Sequence, residues 1–138
     1  MRASPARIAV LGLALLLAAA LPVVACGICI EDRVAAVYDQ PTVDRAVARH
    51  QRVAFFALNG SLVATPETRR VVVAALERAG TRGTVHVSLE SATVSVAFDP
   101  ARTSLAKVAT AGDRALAPQA LKLQTLRVIG ADGKLQEP

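Results

Sequence analysis

The chain has 138 residues, 53% hydrophobic but only 3% aromatic, and its 16 basic and 11 acidic side chains give a net charge of +5. The basic residues are scattered and not interleaved with aromatic ones, which argues against a nucleic-acid-binding surface. Only two cysteines are present, Cys26 and Cys29, so a disulfide framework does not hold the fold, and no Gly-x-Ser-x-Gly elbow, phosphate loop or carboxylate pair points to hydrolase or transferase chemistry.

Residues 1–25 read as a secretory signal peptide. Arg2 and Arg7 supply the positive start, Ile8 to Leu21 is an uncharged apolar run, and Val23-Val24-Ala25 precedes a cleavage point. The run is short for a membrane span and no stop-transfer pattern follows it. Removing 25 of the 138 residues leaves 113, enough for one small domain, and losing Arg2 and Arg7 lowers the net charge from +5 to +3. An exported, periplasmic protein in an oxidising compartment is the expectation.

Residues 26–52 form a short, helix-prone segment that carries the CxxC. Ile30, Val34, Val37 and Tyr38 recur at helical spacing behind Glu31 and Asp32, whose charges suit a first helical turn. Pro41 ends or restarts the helix. Val43, Ala46, Val47 and His50 then line one face of a second helix, with Arg45, Arg49 and Arg52 around its polar side. No Gly- or Ser-rich linker follows, so this segment is expected to pack on the domain.

Residues 53–130 alternate strand and helix patterns. Val53 to Leu58 reads as a strand stopped at Asn59-Gly60. Thr65-Pro66-Glu67 opens a helix with a capping Thr and a tolerated first-turn Pro, its apolar face runs from Val71 to Ala79, and Gly80 suits its end. Val85, Val87 and Leu89 alternate with His86, Ser88 and Glu90. Val94, Val96 and Phe98 alternate with Thr93, Ser95 and Ala97, up to Asp99-Pro100. Leu105, Val108, Ala109 and Leu116 mark a second amphipathic helix behind Thr103 or Ser104. Leu121 to Val128 is a last strand whose alternation shifts near Thr125, and residues 131–138 are a polar tail, expected to be loose. The order β-α-β-β-α-β predicts an α+β, ferredoxin-like fold: a four-stranded antiparallel sheet with two helices on one face, preceded by the short helical N-terminal segment. Strands with one apolar and one polar side suit a sheet covered on a single face.

With these elements in place, the chain resembles the heavy-metal-associated domain family over about residues 53–129. The resemblance rests on element order, spacing and the Asp99-Pro100…Leu105 entry to the second helix. It implies a small copper- or zinc-handling module. The family carries its metal on a Met-x-Cys-x-x-Cys loop between the first strand and first helix. Here that loop, Asn59-Gly60-Ser61-Leu62-Val63-Ala64-Thr65, has no Cys, His or Met, and the CxxC stands at the start of the mature chain. The chain thus looks like a divergent exported relative with its thiols moved upstream.

The Cys26–Cys29 pair has three chemical readings. Two thiolates at a helix start suit Cu(I) in near-linear coordination and, with added ligands, zinc; a metal ion and a protein that exchanges it would then be the partners. His50 is a candidate further ligand, although a lone histidine at a helix end is more often a surface residue. In the second reading, Val23-Val24-Ala25-Cys26 resembles a bacterial lipobox. Cys26 would then carry a lipid, the dithiol would not exist, and the protein would be a membrane-anchored envelope interaction module without metal. Thiol–disulfide redox work is the third, although the motif lacks its usual βαβ setting. A structural disulfide would close a very small loop and stabilise little. Glu31 and Asp32 could add hard ligands, and His86 is expected on the solvated side of its strand.

Overall fold

The structure, a computed structural model, describes residues 29–79, 81 and 84–138. The signal peptide, Cys26 and the expected helix end at Gly80 lie outside the described residues. In chain order the elements are α1 (Ile30–Ala35), α2 (Gln40–Ala48), β1 (Arg52–Asn59), α3 (Pro66–Arg78), β2 (Val85–Ser88), β3 (Thr93–Phe98), α4 (Leu105–Leu116), β4 (Lys122–Ile129) and β5 (Leu135–Gln136). The strands form one sheet in the order β2-β3-β1-β4-β5, and every neighbouring pair is antiparallel. Elements β1 to β4 with α3 and α4 have the ferredoxin-like βαββαβ arrangement.

The helix starts follow from local chemistry. The Thr65 hydroxyl accepts from the Thr68 amide at 3.1 Å, and Pro66 occupies the first helical position, where its missing N–H costs nothing. Ser104 caps α4 by accepting from Lys107. Asp39 caps α2 through Thr42, so Pro41 opens that helix from inside its first turn.

Strand β4 holds the expected irregularity. Phe55 pairs with Arg127 and Phe56 with Thr125, so Leu126 is the extra residue of a β-bulge. The bulge reverses the alternation. Leu123 and Val128, five residues apart, therefore both meet the core under α3 and α4, while Leu126 and Ile129 face the other way.

That other face corrects the expectation of a sheet covered on one side. Under α3 and α4 lies a core of Ala54, Phe56, Leu58, Val72, Leu76, Val94, Val96 and Val128. Behind the sheet, α1 and α2 close a second core, in which Val34, Val37, Val43 and Ala46 pack on Val53, Phe55, Ala57, Ala97, Leu126 and Ile129. The polar side of β3 is small enough and satisfied enough to be buried there. The Ser95 hydroxyl donates to the Val37 carbonyl at 3.0 Å, and the Thr93 hydroxyl to the Ser91 carbonyl at 2.9 Å. Tyr38 stacks on Phe55 with ring centroids 6.4 Å apart.

The tail also differs from expectation. Leu135 and Gln136 pair with Ile129 and Val128, giving the sheet five strands rather than four. The return is a tight turn closed by Gly130 N–H to the Lys134 carbonyl at 2.9 Å, with Gly133 at φ +77. Two exposed residues leave no readable alternation, so periodicity could not announce this strand.

Candidate metal-binding end of the sheet

Cys29 stands at the N-cap position of α1, exposed, with no side-chain capping bond. Its carbonyl accepts from the Arg33 amide at 3.1 Å, so the cysteine lies one helical turn from Arg33. The Arg33 guanidinium donates to the carbonyls of Ser91 (3.2 Å) and Ala92 (3.0 Å) in the β2–β3 turn. That turn sits beside the end of β1, because the Leu58 amide donates to the Ala92 carbonyl at 2.8 Å. The head of α1 is therefore tied to the end of the sheet from which the β1–α3 loop, Asn59–Thr65, also leaves. In sequence the cysteine is 30 residues from Asn59; in space the Arg33 anchor brings its helix to the same end, from the opposite face.

Two acidic residues, Glu31 and Asp32, follow Cys29 in the first turn of α1. Asp32 is exposed, and Glu31 meets Arg127 of β4 at 3.4 Å.

His50 is exposed and lies just past α2 at φ +55, a left-handed residue that terminates the helix before β1. It precedes Arg52, which pairs with Phe98 at the far end of β1. The anchor of α1 is beside Leu58, six residues further along an extended strand, or roughly 20 Å away. The structure does not bring His50 to Cys29. Among the described residues, no three His, Cys, Asp or Glu side chains form a metal cluster.

His86, expected on the solvated side of its strand, keeps a side chain 35% exposed but is also held by residues of α2. Its Nε2 lies 3.1 Å from the Thr42 hydroxyl and 3.8 Å from Asp39 Oδ2, and Arg45 donates to the same hydroxyl at 2.9 Å. One ring nitrogen faces both oxygens, so the cluster is no nucleophile–base–acid relay, which needs the two imidazole nitrogens on different partners. It works as a clasp holding the start of α2 against β2.

Within the clasp, the hydrogen bonds from Thr42, with the His86 and Arg45 charges, hold the Asp39 carboxyl below its ordinary 3.8. A depressed carboxyl contributes stability above its unfolded value, and that contribution is lost as pH falls through the folded one. Asp39→Asn is therefore expected to lower the melting temperature less at pH 3, below the ordinary carboxyl value, than at pH 6. Thermal melts at both values check this; an equal loss at both would mean that the charge plays no part.

The β1–α3 loop is held by backbone contact rather than by ligands. Gly60 has φ +138, and a Cβ there would overlap the carbonyl oxygen of Ala120 in the turn before β4. Leu62 packs against the first core, whereas Val63 is 68% exposed at the loop tip. No helix among the described residues is long and apolar enough to cross a membrane.

No family model and no curated protein matches the chain. Among solved structures it is similar to the crystal structure of oxidized MerP from Ralstonia metallidurans CH34. That match covers 54% of this chain and 96% of the other, at 20% identity and a TM-score of 0.44. The ferredoxin-like assignment stands on the strand order and the two helices that cover one face.

Proposed function

We propose that this protein is an exported carrier of a soft metal ion, copper before zinc, captured by Cys26 and Cys29 and released by ligand exchange to a partner protein. The observation that carries the reading is the placement of Cys29. It is exposed and heads a helix anchored through Arg33 at the loop end of a ferredoxin-like sheet. An open, shallow thiol suits transfer, because an incoming ligand can attack the metal before the outgoing one leaves. The donor set also ranks the metals. Two thiolates satisfy near-linear Cu(I). A zinc tetrahedron of Cys26, Cys29 and two described residues would need three described ligands in one place, and the described residues form no such group. The reading assigns no catalysis.

Competitive Cu(I) titration of the natively exported protein tests it. One equivalent is expected to bind, and the Cys26→Ser, Cys29→Ser double variant is expected to lose at least about a hundredfold in affinity, as removal of both soft ligands implies. Equal binding by the double variant would sink the proposal.

The Val23-Val24-Ala25-Cys26 sequence supports a second reading, a lipid-anchored envelope module. Intact mass of the same preparation separates the two. Diacylglycerol on Cys26 removes the dithiol, and a mass matching the chain from Cys26 onward without lipid retains it. Disulfide-reductase activity that depends on both cysteines would instead favour thiol redox work.

A further inference from the structure

We infer that the outer face of α4, with the start of β1, is a docking surface for an acidic segment of a partner protein. Lys107 and Arg114 are exposed and seven residues apart, so they share one helix face about 10 Å from each other. Between them stand only small side chains, Thr110 and Ala111, over a shallow depression of ≈ 330 Å³. Lys107 also borders a second pocket of ≈ 390 Å³, whose wall includes Arg52, Arg102, Phe98 and Leu105. The two depressions thus form one strip with four cations. Arg52 lies over the Phe98 ring at 6.0 Å and donates to Gln136, which fixes its position.

The strip has little acid of its own. Asp113, the sole carboxylate of α4, accepts the Leu123 amide and is turned to β4, and Asp99 is held by Arg102 at 3.4 Å. Among the described residues, no carboxylate forms an ion pair with Arg52, Lys107 or Arg114. The neighbouring α3 differs, since Glu67 already pairs with Arg70 on its surface.

Charge complementarity names the occupant as a run of carboxylates, and side-chain size selects a protein over a membrane. A bilayer-binding face needs large apolar groups, and the exposed ones (Ile30, Tyr38, Val63, Val71 and Leu135) all lie off this strip. An extended acidic segment advances about 10 Å in three residues, which matches the Lys107–Arg114 spacing. The strip runs along α4, which covers the face of the sheet opposite the one packed by α1 and α2, so a segment seated there leaves Cys29 uncovered. The inference is independent of whether the cysteines take metal.

The test is NMR titration of the natively exported protein with a short oligoglutamate peptide at low ionic strength. Saturable shifts are expected around Arg52, Arg102, Lys107 and Arg114, fading as salt screens the contacts. The Lys107→Glu, Arg114→Glu variant is expected to bind about tenfold more weakly, while the charge-matched Arg70→Glu, Arg78→Glu variant on α3 changes less than about twofold. An absence of saturable shifts, an equal loss in the α3 variant, or tighter binding to phosphatidylglycerol vesicles or inorganic phosphate than to the peptide would each overturn the inference. The salt dependence of the unsubstituted protein provides a reading that needs no variant to fold.

Discussion

Phe55→Ala is expected to destabilise the protein by about 3–5 kcal/mol, the range for removing a fully buried phenylalanine that leaves a cavity. Phe55 is 0% exposed, stacks against Tyr38 and sits in the middle of the second core. Its partners come from two sources far apart in sequence, α1 and α2 on one side and the strands on the other, so neither can collapse into the space alone. Urea unfolding measures the loss as a shift in midpoint at unchanged slope. A sheet with one solvated face would place Phe55 in water and lose little on truncation, so a change below about 1 kcal/mol would refute the two-sided core. Phe56→Ala is the natural companion. It empties the core under α3 and α4 instead and is expected to cost a similar amount.

The second large effect falls on the loop that, in the family this chain resembles, carries the metal. Gly60→Ala is expected to cost about 2–4 kcal/mol, combining backbone strain at a φ that only glycine readily adopts with overpacking. At φ +138 a side chain is strained in any case, and its Cβ would also overlap the Ala120 carbonyl oxygen, which is backbone and cannot swing away. Ala120 has φ +55 and follows a 3-10 turn, so the contact joins the entrance of α3 to the entrance of β4. The same urea titration reads the effect. If the proposed copper reading holds, the Cu(I) affinity of the folded fraction is expected to be unchanged, because the loop supplies no thiol, imidazole or thioether. A Gly60→Ala variant with wild-type stability but weakened metal binding would return the loop to the metal site.

Much of the fold was legible locally. Thr65, Ser104 and the Thr65-Pro66 pair declared their helices because caps act within one turn of chain. The Leu126 bulge was visible as a break in alternation near Thr125, since a period of two registers a single inserted residue. The hydroxyl-bearing side of β3 misled, because Thr93 and Ser95 look the same whether water or a buried carbonyl satisfies them. For His86 the exposure was legible but the partners were not. Its partners Thr42 and Asp39 are more than 40 residues away, and no local pattern connects them.

Taken alone, the amino-acid sequence determined the β-α-β-β-α-β order, the caps, the absence of ligands from the Asn59–Thr65 loop and the existence of one CxxC near the N-terminus. These are properties of spacing and residue type, and they act over a few residues. The tertiary structure alone decided that the sheet is covered on both faces, that the tail adds a strand and that Cys29 is anchored at the loop end while His50 lies at the other. Those outcomes depend on contacts between segments tens of residues apart. Burial of the Phe55 face stabilises the docked α1 and α2, and the Arg33 guanidinium, reaching the Ser91 and Ala92 carbonyls of a distant turn, sets which end of the sheet the thiol occupies.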